Sequence, residues 1–261
     1  MQLFDSHCHL QDTRYGKTLP EVLERAECND VGYMVCCATC EHDWEAVALL
    51  AEQYNNIIPC FGIHPWFLEK LSDTWDKHLE EYLRNILSGV GECGLDFAVK
   101  NYNAGDQEAV FKKQLYIAKK LKRPVNMHCR KAWNRLIPIL KEVGTLPAGG
   151  LIHSYSGSHE LIGILESLDL YISFSGSITR PNSKKGPKAL GVVSQERLLI
   201  ETDSPDILPS GIVGPGQRML NEPAFIKIVA ERIASLRNTS LESAAELTYS
   251  NALNLYKEVI S

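Results

Sequence analysis

The sequence predicts a (β/α)₈ barrel, and three observations carry the prediction. Short apolar, β-branched runs alternate with longer amphipathic segments along the whole chain, with no linker, low-complexity stretch or charge block between them. The strand-like runs number eight, and eight parallel strands with right-handed helical crossovers in about 250 residues is the usual size of a closed barrel. Side chains of metal-ligand type stand just past the carboxyl ends of these runs, the rim where barrel enzymes carry their chemistry. A chain of 261 residues, 44% of them hydrophobic, has enough apolar material for the large core this needs, and residues 1–261 read as one domain.

The first strand is Leu3–Phe4, at the end of a short apolar segment, and His7 and His9 follow it. Side chains two apart on an extended chain point the same way, so the two imidazoles can converge on one cation. Strands at Tyr33–Cys37 and Ile57–Phe61 come next, the latter followed by His64. Gly89–Gly91 leads to Glu92. A helix over Gln107–Lys122 precedes the fifth strand, Pro124–Met127, which ends at His128, and a helix over Ala132–Val143 follows. Gly150–Ile152 leads to His153, Leu170–Ser173 is seventh, and Arg197–Ile200 leads to Asp203. Glu222–Leu236 and Leu241–Val259 supply the last outer helices. Any one of these polar residues alone reads as a hydrogen-bonded histidine or a solvated carboxylate. So many at one rim point to a metal centre. His42, His78 and His159 fall among charged neighbours in helical patterns and read as surface residues. A doubly wound open sheet is the competing architecture. It lacks its glycine-rich turn after the first strand, and Gly214-Pro-Gly216 follows no strand and reads as a flexible loop.

A formal net charge of −5 argues against broad adhesion to nucleic acid or anionic membrane, so a polyanion would have to be gripped by a local basic rim. No stretch approaches the ~20 apolar residues that span a bilayer, and no cationic segment precedes an apolar run, so the chain reads as cytosolic with no membrane partner and no evident obligate protein partner. All eight cysteines lie in the first half, a lopsided arrangement for disulfides, and they read as reduced core residues. Cys36, Cys37 and Cys40 lack a second ligand pair at zinc-ribbon spacing. Cys8, Cys93 and Cys129 each adjoin a candidate ligand, where oxidation would disturb the site.

Several ordered motifs resemble one family. They are Phe4-Asp-Ser-His-Cys-His-Leu10, Gly62-Ile-His-Pro65, Gly91-Glu-Cys-Gly-Leu-Asp96, Pro124-Val-Asn-Met-His-Cys-Arg130, Ile152-His-Ser-Tyr-Ser-Gly157, Tyr171-Ile-Ser-Phe-Ser-Gly176, Glu201-Thr-Asp-Ser-Pro205 and Asn221-Glu-Pro223. Along essentially its whole length the sequence is similar to the TatD-like metal-dependent hydrolases of the amidohydrolase superfamily, whose fold is a (β/α)₈ barrel. The resemblance implies two divalent ions, zinc, manganese or magnesium: His7, His9 and Asp203 hold one, His128 and His153 the other, and Glu92 bridges them. It implies a hydroxide between the ions as nucleophile, with Asp203 as proton acceptor, and DNA as substrate, cleaved as by a 3′-5′ exonuclease.

His64 and Arg130 are the best-placed phosphate contacts, and Arg180, Lys184, Lys185 and Lys188 form a basic stretch after the seventh strand. Trp66 and Phe67 are candidates to stack on a terminal base, with burial against the next loop the expected outcome. Glu201 has equal reason to orient neighbouring groups from behind the site and to point outward on its strand, and is left outside the site. One departure stands out: after Pro205 many relatives continue with an aromatic residue and a short loop, whereas here Asp206 opens a longer loop, Ile207 to Leu220. Its added negative charge favours an alternative in which the same centre hydrolyses a carboxylic ester, lactone or amide, including mischarged aminoacyl-RNA. A non-catalytic barrel is the third reading, against which the complete ligand set counts.

Overall fold

The computed structural model describes residues 1–100, 103–212 and 219–260. Eight strands form one sheet in sequential order: β1 (Leu3–Cys8), β2 (Val31–Cys37), β3 (Ile57–Phe61), β4 (Gly89–Asp96), β5 (Val125–Arg130), β6 (Gly150–Ile152), β7 (Leu170–Phe174) and β8 (Leu198–Ile200). Every neighbouring pair is parallel. The sheet closes where β1 ends. Cys8 bridges Ser204, the Asp203 N–H donates to the His7 carbonyl at 2.9 Å, and the His9 N–H donates to the Ser204 carbonyl at 2.7 Å. The seam of the barrel therefore fixes His7, His9 and Asp203 side by side.

The helices are α1 (Leu19–Cys28), α2 (Trp44–Gln53), α3 (Trp75–Asn85), α4 (Ala104–Leu121), α5 (Trp133–Val143), α6 (Ile162–Glu166), α7 (Lys185–Leu190), α8 (Ile226–Arg237) and α9 (Leu241–Tyr256). Local sequence explains the ends of the longest two. The Asn103 side chain accepts from the Asp106 N–H to start α4, and Ser240 accepts from the Ser243 N–H to start α9, each satisfying an orphan donor of the first turn. Among the described residues no helix is long and apolar enough to cross a membrane.

The main core lies between the strands and the outer helices. A second apolar cluster joins Phe4, Val35, Ile58, Leu151, Tyr171 and Leu199 to Ala252, Leu255 and Tyr256. Strands contribute the first group and α9 the second. So α9 is not an outer helix, as its place at the end of the chain suggested, but packs against strand residues from around the barrel. Tyr256 is fully buried, stacked on Phe4 with ring centroids 5.9 Å apart and planes 14° from parallel. The helix packs by one face, with Ala252, Leu255 and Tyr256 buried, while Glu242, Glu246, Ser250 and Asn254 on the other face stay exposed.

Four strands outrun their predicted ends: β1 reaches Cys8, β4 reaches Asp96, β5 reaches Arg130 and β7, by one residue, reaches Phe174. His7, Glu92 and His128 thus lie within strands, whereas His9, His64, His153 and Asp203 follow strand ends. Backbone pairing does not require apolar side chains, and polar ones are tolerated where the barrel interior satisfies them. In β1 the register with β2 shifts between Asp5 and Cys8, which breaks strict alternation. Consecutive residues Ser6 and His7 then both reach distant strands, Ser6 to Ser173 on β7 and His7 to Asn126 on β5. Glycine is required at position 94, where φ is +147° and a Cβ would lie 2.0 Å from the His128 carbonyl oxygen. Gly214-Pro-Gly216 lies outside the described residues, as does the central part of the loop from Ile207 to Leu220.

Candidate metal centre

Glu92, on β4, is buried between two groups of imidazoles, and its two oxygens face different ones. Oε2 lies 3.3 Å from His9 Nε2 and 3.5 Å from His7 Nε2. Oε1 lies 2.8 Å from both His128 Nδ1 and His153 Nε2. Asp203 Oδ1 stands 3.6 Å from the Nε2 atoms of His7 and His9, completing the first group. Within the groups, His7 Nε2 and His9 Nε2 are 3.1 Å apart and His128 Nδ1 and His153 Nε2 are 3.0 Å apart. Nitrogen ligands about 2.0–2.1 Å from a tetrahedral zinc ion stand about 3.3 Å from one another, so the spacing suits donors sharing a cation.

The outward nitrogens strengthen that fit. His7 Nδ1–H donates to Asn126 Oδ1 at 2.8 Å, and His9 Nδ1–H donates to the Cys37 carbonyl at 2.7 Å. Both Nε2 lone pairs therefore point inward, toward each other, an arrangement that a cation or a shared proton relieves. His128 Nε2 faces Asp96 Oδ2 and His153 Nδ1 faces Glu201 Oε1, each at 3.4 Å. Metal-bound histidines characteristically have such an acceptor behind the ring.

His64 differs. The Trp66 N–H donates to its Nδ1 at 3.2 Å, so Nε2 carries the hydrogen, and that edge faces Glu92 Oε1 at 3.4 Å. Burial holds the His64 pKa down to about 3 against the pull of Glu92, so the ring is a neutral N–H donor at pH 7. Burial also depresses His9 and His153, but hydrogen bonds from His9 to Asp203 and Glu92, and the charge of Glu92 beside His153, more than reverse it. Both rings end well above the usual histidine value. Against burial, the facing imidazoles hold Glu92 and Asp203 below the usual carboxylate range. The cluster attracts positive charge.

Three donor sets lie within 4.8 Å: His7, His9 and Glu92; His7, His153 and Asp203; and His64, Glu92 and His128. All six residues expected to hold metal come together, and the sets also cross between the two groups, since His7 and His153 stack with centroids 4.0 Å apart. No cysteine belongs to a donor set among the described residues. Burial pushes the Cys8, Cys93 and Cys129 thiols up, which keeps them protonated and unreactive at neutral pH.

The cluster floors a cavity of about 820 Å³ whose walls include Arg14, Trp66, Arg130, Ser177 and Arg180. Arg130 pairs only loosely with Asp96, at 3.9 Å. Lys184, Lys185 and Lys188 are exposed on and before α7 and do not line it. Trp66 is not buried against a neighbouring loop: it is 54% exposed, held at the wall by its Nε1–H, which donates to Asp96 Oδ2 at 2.8 Å. A polar anchor for the indole outcompetes full burial here. Phe67 is half-buried on the same wall. Glu201 does not point outward. It is fully buried and accepts the Ser154 N–H at 2.6 Å beside His153. Asn126 and Asp96 are legible in the sequence only as polar residues within motifs, and Glu201 as one that could orient a neighbour; the barrel brings each behind a histidine. Asp206 does not add an open negative charge, because Arg14 binds it through two hydrogen bonds of 2.9 and 2.7 Å.

YabD of Bacillus subtilis, described as an uncharacterized metal-dependent hydrolase, is 33% identical over 258 residues, covering 98% of this chain and 99% of its own. A protein of Edwardsiella piscicida named 3′-5′ ssDNA/RNA exonuclease TatD is 30% identical, with 98% and 99% covered. The crystal structure of YjjV, a TatD homolog from Escherichia coli K12, superposes with a TM-score of 0.91 at 29% identity over 98% of each chain. The sequence model of the TatD related DNase family matches residues 4–257, and with a barrel of the same shape as a TatD homolog's, this chain belongs to that family.

Proposed function

We propose that this TatD-family metal-dependent hydrolase is a deoxyribonuclease of the 3′-5′ exonuclease type with two divalent ions, zinc, manganese or magnesium, at the barrel rim. The observation that carries the proposal is the division of Glu92, one oxygen toward His7 and His9 and the other toward His128 and His153. In this reading His7, His9 and Asp203 serve one ion, His128 and His153 the second, and Glu92 both. Bound ions would supply a lowered water pKa and positive charge for the phosphoryl oxygens.

The remaining work falls to side chains. Asp203, ionised at neutral pH, takes a proton from the attacking water as the phosphorus–oxygen bond forms. It returns that proton to the 3′ oxygen as the bond to it breaks, so charge balances without an outside acid. His64 presents Nε2–H to a phosphoryl oxygen, which its fixed tautomer suits. Arg130, exposed and loosely paired, clamps a phosphate on the His128 side. The ester and amide alternative drew on the charge of Asp206, and the pairing of that carboxylate with Arg14 weakens it.

The test is to incubate metal-stripped protein with 5′-labelled single-stranded DNA plus magnesium, manganese or zinc, beside His128→Ala and Asp203→Asn proteins purified identically. A metal-dependent ladder from the wild type alone, blocked by a 3′-terminal phosphorothioate, supports the proposal. Metal-loaded wild type that leaves DNA intact and hydrolyses carboxylic esters would replace it.

A further inference from the structure

Arg14 stands at the cavity wall between two carboxylates. Its Nε–H and one Nη2–H donate to Asp12 at 2.9 and 2.8 Å, while Nη1–H and the other Nη2–H donate to Asp206 at 2.9 and 2.7 Å. Four of the five guanidinium N–H bonds are used. Each carboxylate hangs from a tight turn on a member of the donor cluster: the Asp12 N–H donates to the His9 carbonyl at 3.1 Å, and the Asp206 N–H donates to the Asp203 carbonyl at 2.9 Å. This places Arg14 on the His9 and Asp203 side, whereas Arg130 reaches the His128 side through Asp96.

A guanidinium with both edges taken cannot clamp a phosphate. Its two partners are unequal, however. Asp12 is 25% exposed and also accepts the Arg14 backbone N–H at 2.8 Å, so it is tied to Arg14 by geometry. Asp206 is 57% exposed and meets Arg14 from 192 positions away through side-chain bonds alone. Exposed pairs of this kind contribute little net stability, and a phosphate offers the same fork geometry with oxygens of its own.

We infer that Arg14 is a phosphate-binding residue and Asp206 its intramolecular competitor, so that the cleft selects phosphodiesters carrying a second phosphate beside the scissile one. A lone phosphate seated over the donor cluster leaves the Arg14–Asp206 pair closed; a neighbouring phosphate on the strand displaces Asp206 and takes the fork. The inference rests on the phosphodiesterase reading above.

The experiment compares wild type, Asp206→Asn, Arg14→Gln and the double variant. Binding of a 5′-fluorescein thymidine octanucleotide to metal-free protein is followed by anisotropy across a salt series. Metal-loaded protein gives KM for the octanucleotide and for bis(4-nitrophenyl) phosphate, which has one phosphate. Asp206→Asn should tighten binding three- to tenfold, steepen the slope of log K against log salt by about 0.7, and lower the octanucleotide KM relative to the small diester. The double variant should lose all of that gain. No gain in Asp206→Asn overturns the inference, as does a gain that survives in the double variant, which would assign it to the lost negative charge alone. Weakened binding by Asp206→Asn and by Asp206→Ser would mark the pair as a loop latch and overturn it too. A metal-loaded wild type that cleaves neither diester sinks the parent reading, whereas one that cleaves both with Asp206→Asn unchanged sinks this inference alone.

Discussion

Asn126 on β5 accepts a 2.8 Å hydrogen bond from His7 Nδ1 on β1, and this contact decides which nitrogen of His7 faces the donor cluster. Asn126 is itself held, since its amide donates to the Ser6 carbonyl at 3.0 Å. Asn126→Ala should therefore weaken divalent-ion binding by roughly ten- to a hundredfold without removing a ligand. Competition with a chromogenic chelator measures it. Unchanged affinity would mean that the barrel alone orients His7.

Glu92→Gln should lower metal content from two ions to one or fewer per chain, read by elemental analysis after gel filtration. The amide keeps the shape of the side chain, but it has one oxygen where two face the two imidazole groups. Hydrolysis should fall by about a hundred- to a thousandfold, the scale of losing one preorganised electrostatic group from a reaction centre. Retention of both ions would show that Glu92 is not the shared ligand.

How far the site was readable follows from where information sits along the chain. His7 and His9 announce themselves because strand geometry joins neighbours, and strand-end position does the same for His153 and Asp203. Asn126 and Glu201 gave no comparable signal, since their role depends on which strand lies across the barrel. The sequence ends the fourth strand at Gly91 because polar Glu92 follows, whereas β4 continues through Glu92 to Asp96, with Gly91 and Gly94 admitting the neighbouring strand at close range. The α9 plug was hidden for a related reason: its periodicity marks it as a helix, and only three-dimensional packing chooses between flank and floor.

Divalent ion should raise the melting temperature. The cluster gathers imidazole lone pairs and carboxylates in a buried volume, so ion binding favours the folded state by about 2.7 kcal/mol at a hundred times Kd. For a chain of this size that is a shift of roughly 5–10 °C. Scanning calorimetry with and without manganese or zinc checks it. A shift below 1 °C at saturating ion would count against the centre.

The same cluster sets a pH dependence. His9 and His153 are held well above the usual histidine value in the metal-free protein, so their contribution to its stability is fully present below the unfolded value of about 6.5 and is lost as pH rises through the raised values. Ions must displace those protons, so apparent metal affinity should rise with pH, by up to tenfold per unit for each proton released, until pH passes the raised values, and level off above them. Calorimetric titrations in two buffers of different ionisation heat count the protons. Zero release at pH 7 would show that the rings are already neutral.

Tyr256 separates the floor of the barrel from its rim. Its ring stacks on Phe4 while its hydroxyl accepts only a long 3.3 Å bond from the Asn126 amide, which has Ser6 as a better partner. Tyr256→Ala should cost about 3–5 kcal/mol, because a buried ring is lost and a cavity is left under the strands. Tyr256→Phe keeps the stack and should cost only about 0.5–1.5 kcal/mol. Urea denaturation measures both. Metal affinity of the Phe variant should stay near wild type, since Asn126 remains fixed by Ser6 and still orients His7. If that affinity falls with the hydroxyl, the floor and the rim are coupled through Asn126, and α9 governs the centre as well as the fold.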